Sequence, residues 1–208
     1  MPSLYGNAGN RYKGCKLVWP SLKYWDSYLD ALYEGFVLSM ENKKSLEEIQ
    51  RIASSPMEHI ESINQQNIEV VLPNGSKEIK QPFDIYWLVR QTLFIGAVGI
   101  IHTLNDYLAR YGGHLGIGIR PSLRNQGYGE IATRLILGRA YQLGINPVYA
   151  FCDSRNIAMS RVFEKCGGIL EGIVPNPYFE GTSVSRYKIF IDMVEIDEII
   201  ARNLIPSS

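Results

Sequence analysis

The stretch from residue 114 to residue 152 limits the fold most, because its hydrophobic period changes twice. His114 to Arg120 is strand-like and is stopped by Pro121. From Tyr128 to Leu143 the period is helical, with Ala132, Leu135, Ile136, Ala140 and Leu143 on one apolar stripe. Glu130 and Arg134 read as an exposed i,i+4 pair on that helix. Pro147 to Cys152 is a short strand again. Strand, helix and strand in this order point to an α/β protein.

The flanking segments fit the same plan. Cys15 to Trp19 reads as a first strand ending at Pro20. Ser21 then reads as an N-cap, with Trp25, Tyr28, Leu29, Leu32 and Phe36 following at helical spacing. A polar helix is expected over Ser45 to Ser54, and 55–82 reads as polar and irregular around a Pro73-Asn74-Gly75 turn. Ile85 to Arg90 and Leu93 to Ile101 are strands, and Asn105 to Gly113 is an excursion closed by Gly112-Gly113. Met159, Val162, Phe163 and Cys166 mark the buried face of a later helix that ends at Gly167-Gly168. Val184 to Ile191 is the last strand, with a short helix expected up to Asn203. One mixed sheet covered by helices on both faces is the expected architecture.

Composition bounds the function classes. Lys plus Arg and Asp plus Glu number 21 each, a zero balance that argues against a general nucleic-acid binder. The three cysteines are odd in number and widely spaced, so no metal cluster is expected, and Cys152 and Cys166 read as small core residues in a reducing compartment. The start of the chain has no apolar signal core and no stretch has the length of a membrane span, so a cytoplasmic location away from membranes is expected.

Between the strand ending near Ile119 and the helix lies Arg124-Asn125-Gln126-Gly127-Tyr128-Gly129. Two glycines at a helix start leave backbone N–H groups without intrahelical partners, and the helix dipole adds positive charge there. Such an end is an anion site, and glycine lets a pyrophosphate come close to the main chain. Arg124 can add a charge-assisted contact. The turn lacks the Lys-Ser/Thr of a P-loop and the third glycine of a dinucleotide fingerprint. A glycine-containing helix start with no ligand remains the plain alternative.

The stretch from about Gly99 to Ile191 resembles the GCN5-related N-acetyltransferase (GNAT) superfamily in the order and spacing of its motifs. Arg124-x-x-Gly127-x-Gly129 matches the motif that holds the pyrophosphate of acetyl-CoA in that family. Asn156, followed eight residues on by Glu164-x-x-Gly167, matches the later helix motif. His102-x-Leu104-Asn105 and Gly112-Gly113-His114 resemble a bacterial branch of predicted acetyltransferases. The resemblance implies one domain over 1–208, with a variable helical part over 1–80 and a cofactor-binding core over 83–191. It implies a GNAT fold: a mixed, mostly antiparallel sheet, helices on both faces, and a splay between two central parallel strands. Acetyl-CoA is the implied cosubstrate, with no metal. Ile119 would contact the pantetheine arm through its main chain, and Arg124, Asn125, Gln126, Gly127, Tyr128 and Gly129 would hold the pyrophosphate. Asn156 would face the pantetheine or thioester. Phe163 counts with the cofactor contacts, although its place in the apolar stripe also fits the core.

Aminolysis of a thioester needs a neutral amine, and deprotonating a lysine-like amine of pKa ~10.4 costs roughly 4–5 kcal/mol at neutral pH. In the family the base is often a Glu seven residues ahead of the proline, a position taken here by His114. The alternative for His114 is a ring satisfied by hydrogen bonds beside Gly113; His102 and a water relay are rival bases. The usual acid, a Tyr, is replaced by Phe163, which leaves Ser160, Tyr178 or unaided departure of CoA. The resemblance implies a small-molecule or peptide amine as acceptor, without choosing between them, and the superfamily often forms homodimers. An acyl-CoA-binding regulator without turnover and a nucleotide-binding protein are the rival readings.

Overall fold

β1 (Cys15–Val18) buries Cys15 and Leu17 and turns Lys16 outward, the period-2 pattern of a strand covered on one face. The computed structural model describes residues 14–38, 43–66, 69–71, 75, 77–177 and 181–191. The expected helix toward Asn203, Tyr178 and most of the Pro73-Asn74-Gly75 turn lie outside the described residues. Ser21 is a cap, but of a 3-10 turn (Leu22–Tyr24): its hydroxyl accepts from the Lys23 N–H at 3.3 Å. α1 (Trp25–Tyr33) continues from that turn and stops three residues before Phe36. The Phe36 N–H donates back to the Ala31 carbonyl at 2.9 Å, which returns its ring to the same core.

α2 (Leu46–Ser54) opens with a reciprocal cap: the Glu48 N–H donates to Ser45 Oγ and the Ser45 N–H to Glu48 Oε2. The segment expected to be irregular holds α3 (Pro56–Ile63) and a hairpin of β2 (Glu69–Val71) with β3 (Lys77–Ile79). Pro56 supplies the helical φ at the first position of α3, and Lys77 pairs with Glu69 across the hairpin at 2.8 Å. Neither element is long enough for its period to show in the sequence.

β4 (Phe83–Arg90), β5 (Leu93–Ile101) and β6 (Leu115–Ile119) join β1 in a sheet ordered β1-β4-β5-β6, every pair antiparallel. A second sheet, ordered β7-β9-β8, contains β7 (Val148–Asp153), β8 (Gly168–Pro175) and β9 (Ser183–Ile189), again antiparallel. The single mixed sheet expected from the sequence is therefore parted in two where β6 meets β7. β8 was not foreseen, because this outer strand exposes Ile169, Leu170 and Ile173 and so carries no clean alternation.

Helices cover both faces. α1 packs on Trp87, Val89, Phe94 and Ala97, with the Tyr28 ring 4.5 Å from Trp87 and 5.1 Å from Phe94. α4 (Tyr128–Gln142) lies on the opposite face against Tyr86, Leu88, Val98, Ile100 and Leu115, and α5 (Ile157–Lys165) packs beside it. That neighbour corrects the expected surface pair on α4. Arg134 is only 7% exposed; its Nε lies 3.2 Å from Glu130, and its Nη2 donates to the Lys165 carbonyl at 2.6 Å. The guanidinium thus satisfies a carbonyl at the end of α5. Cys15, Cys152 and Cys166 are buried free thiols. No helix among the described residues is long and apolar enough to cross a membrane.

Candidate active site

The strand β6 hands the chain to the glycine turn through Arg120 and a 3-10 turn, Pro121–Leu123. Asn125 takes a positive φ of 59°, which asparagine tolerates better than most side chains, and Gly127 takes 87° as the N-cap of α4. No side chain caps this helix start. Among the described residues, the N–H groups of Asn125, Gln126, Gly127, Tyr128 and Gly129 donate to no protein acceptor. Five successive main-chain donors therefore stand unshared at the positive end of a 15-residue helix.

The side chains of the motif divide their tasks. Arg124 is exposed, and its Nε donates to the Ile119 carbonyl at 3.1 Å. Gln126 braces the turn by donating to the Ser122 carbonyl at 3.1 Å. The Tyr128 ring is buried in the core, so it can serve an anion only through its N–H. A Cβ at Gly129 would lie 3.3 Å from Val162 Cγ2, so this glycine lets α4 approach α5.

A clamp that the sequence did not reveal fixes this loop to α1. Glu34, just past the end of α1, lies 2.6 Å from Arg120 Nη2 and accepts from the Ser122 N–H at 3.2 Å. Arg120 Nη1 also donates to the carbonyl and hydroxyl of Ser27, and that hydroxyl accepts from the Phe94 N–H. The Arg120 hydrogen bond, ahead of the Ser122 bonds, holds the Glu34 carboxyl at about 2. The pairing spans 86 residues of sequence, so no local pattern announces it.

β6 and β7 meet at their starts. The His114 N–H donates to the Tyr149 carbonyl at 2.8 Å, and the Tyr149 N–H donates to His114 Nδ1 at 3.0 Å. Gly113 forms a single bridge with Ala150, of antiparallel pattern. An imidazole nitrogen thus stands where a ladder would supply a carbonyl. Beyond it no ladder joins β6 to β7 among the described residues, and the two strands part as a seam. His114 is 7% exposed, and burial holds its pKa below the ordinary value. With Nδ1 accepting, the neutral ring carries its proton on Nε2. A second proton on Nδ1 would set N–H against N–H, so the lone pair expected to act as base is already engaged.

His102 sits on the α4 side of the sheet, at the end remote from the glycine turn. Its Nε2 is 3.2 Å from Asp84 Oδ2, which also receives the Tyr86 hydroxyl at 3.1 Å and lies 3.6 Å from Arg139. Burial, reinforced by Asp84, pushes the Tyr86 phenol up to about 12. The network pins the last turn of α4 to the sheet and does not reach the seam.

On α5, Asn156 is the N-cap: its Oδ1 accepts from the Met159 N–H at 3.0 Å, and its Nδ2 makes no hydrogen bond among the described residues. Phe163 is 1% exposed and packs against Tyr187 with ring centroids 5.4 Å apart. It offers no ring surface to a ligand, so it stands with the core. Ser160 Oγ lies 3.5 Å from Cys152 Sγ. The Tyr187 hydroxyl, absent from the sequence candidates, donates to Glu164 at 3.4 Å. Among the described residues no group of His, Cys, Asp and Glu side chains could hold a metal.

A family model described as an acetyltransferase (GNAT) domain matches residues 34–169. No curated protein matches the sequence significantly. Similar solved structures include yncA from Salmonella typhimurium with its cofactor acetyl-CoA, at 10% identity over 87% of this chain and 96% of that one, TM-score 0.52. The acetyl transferase that modifies the N-terminal serine of 50S ribosomal subunit protein L7/L12 from Salmonella typhimurium is 15% identical over 86% and 96%, TM-score 0.55. A chimera of the spermidine N-acetyltransferase SpeG from Vibrio cholerae and hSSAT is 14% identical over 91% and 100%, TM-score 0.54. At such identities the likeness is one of fold.

Proposed function

The chain belongs to the GNAT acetyltransferase family, and from that premise we propose that it transfers the acetyl group of acetyl-CoA to a primary amine by direct attack on the thioester. The observation that carries this reading is the row of five unshared N–H groups, Asn125 to Gly129, at the mouth of the seam beside β6. Those donors and Arg124 fit a pyrophosphate. The pantetheine arm would run along β6, where the Ile119 carbonyl now receives Arg124 Nε. Binding would exchange that contact: Arg124 turns to the phosphates and the carbonyl accepts from the pantetheine amide. Asn156 Nδ2 supplies a donor from the facing helix. In this reading residues 83–191 hold the cofactor, and the helices before them cover part of the acceptor side.

Bound acetyl-CoA supplies the thioester carbon; the amine nitrogen bonds to it, the C–S bond breaks, CoA leaves as thiolate, and the nitrogen's proton passes to water. A thiol of pKa near ~8.5 leaves with little help, so the absence of a hydroxyl on Phe163 is tolerable. His114 holds its proton on Nε2 at the seam and acts as a hydrogen-bond donor there. The amine therefore reacts through its neutral fraction.

Calorimetric titration with acetyl-CoA tests the site, using the wild-type chain, Gly127→Glu and Asn125→Asp. Asp keeps the shape of Asn and tolerates the positive φ while adding a negative charge among the donors. Wild type should bind at micromolar concentration, and both variants should lose about tenfold or more, ~1.4 kcal/mol. No heat with the wild-type chain, or undiminished binding by Asn125→Asp, would overturn the pyrophosphate assignment.

A further inference from the structure

The seam has two unlike faces. On one, Leu115, Ile117 and Ile119 of β6 and Val148, Ala150 and Cys152 of β7 join the core under α4 and α5. On the other, strand alternation leaves β6 with Gly116 and Gly118 and β7 with Tyr149 and Phe151. A Cβ at Gly118 would collide with the Val37 carbonyl oxygen, so the segment after α1 crosses β6 there. Gly116 is half-buried on this face, and the Phe151 ring lies against Gly113. Tyr149 and Phe151 are the side chains that β7 sets on this face of the seam.

The next strand on that face is positively charged. Arg186 pairs in register with Phe151, and Lys188 with Tyr149. The Arg186 guanidinium carbon lies 4.9 Å from the Tyr149 ring centroid and 5.9 Å from that of Phe151. Its buried Nε is 2.8 Å from Glu171 Oε2, an ion pair without hydrogen-bond geometry. No protein group among the described residues takes its two terminal amino groups. Lys188 Nζ lies 5.9 Å from the same Tyr149 ring, and Asp153 nearby is already paired with Arg155 at 2.7 Å. Among the described residues, with Asp153 paired to Arg155, Glu171 is the carboxylate left to offset Arg186 and Lys188. The His114 ring stacks on Tyr149 at 6.0 Å and 19°, so one row leads from the seam to Arg186. The row crosses two strand spacings, about 10 Å.

We propose that the acceptor is an amine that also carries an anionic group, a carboxylate or a phosphate, held by the two terminal amino groups of Arg186. The proposal rests on the acetyl-transfer reading and names its substrate class. A guanidinium resting on aromatic rings, with Nε beside a carboxylate, presents its remaining fork to O–C–O or O–P–O oxygens at small entropic cost. A polyamine would instead bring a second cation toward Arg186 and Lys188 and be repelled.

The test is release of CoA thiol at saturating acetyl-CoA with four acceptors of matched length: ε-aminocaproate, its carboxamide, hexamethylenediamine and the corresponding aminoalkyl phosphate. One or both anions should show a KM about tenfold or more below the carboxamide, ~1.4 kcal/mol; which one does so separates carboxylate from phosphate. Arg186→Gln should raise that KM to the carboxamide value while kcat and calorimetric acetyl-CoA affinity stay unchanged. Arg186→Lys should recover part of the preference. Equal use of amide and anions, a preference for the diamine, or a preference that survives Arg186→Gln would overturn the proposal alone. Acetyl-CoA binding with no thiol release from any acceptor would overturn it together with the acetyl-transfer reading.

Discussion

Tyr149 donates its N–H to a side chain at the point where a strand neighbour would normally supply a carbonyl, and that substitution engages the Nδ1 lone pair of His114. Spacing in the sequence led to His114, because the position is seven residues before Pro121. Its chemistry was not legible, because the tautomer depends on a residue 35 positions away. A base at His114 and a donor at His114 predict different pH profiles. With Nδ1 engaged, kcat/KM should rise with pH in step with the acceptor's own ionisation, and His114→Gln should lower the rate without changing that shape. An inflection near the ordinary histidine pKa of ~6.5, present in wild type and lost in His114→Gln, would restore the base. Phe163 gives the converse lesson. The family motif counted it beside the cofactor, while the apolar stripe on which it falls pointed to the core, where the structure places it.

At the scale of elements, periodicity served long segments and failed short or outer ones. α4 and β5 were legible because 15 and nine residues give an apolar pattern room to repeat. β8 was not, because an outer strand with both faces partly wet needs no alternation. The glycine turn between β6 and α4 was legible as the opening of a helix, but its anchor on α1 was not. In the proposed reading, that anchor ties α1 to the loop that would hold the cofactor. Glu34→Gln should weaken acetyl-CoA binding several-fold, leave kcat at saturation unchanged, and lower stability at pH 7 by about 1 kcal/mol, as expected for a partly exposed pair with added hydrogen bonds. The pH sense follows from a carboxyl depressed from 4.5 to about 2. Its contribution is complete above pH 4.5 and is lost as pH falls toward 2, so the stability gap between wild type and variant should close over that range. A gap that persists unchanged at pH 3, measured by denaturant unfolding, would mean that Glu34 acts by shape rather than by charge.

For the whole molecule, the consequence of the seam is that two sheets share little hydrogen bonding with each other. The hydrogen bonds between them among the described residues are the pair that joins His114 to Tyr149, with the Gly113–Ala150 bridge beside it, all where β6 and β7 start. The rest of the connection between the sheets is apolar packing under α4 and α5. A ligand lying in the seam would therefore add polar links between halves that share few, and would stabilise the fold by mass action, ~2.7 kcal/mol at a hundredfold excess over Kd. Hydrogen exchange distinguishes that arrangement from a cofactor held by the loop alone. With saturating acetyl-CoA, protection should rise at residues 125–129 and also along 116–119 and 151–153, while the β2–β3 hairpin, a separate two-stranded sheet, stays unchanged. The Asn125→Asp variant should lose both sets of protection at the same acetyl-CoA concentration, because the pyrophosphate and the pantetheine belong to one molecule. Protection confined to 125–129 would leave the glycine turn as an anion site and remove the seam from the path of the cofactor.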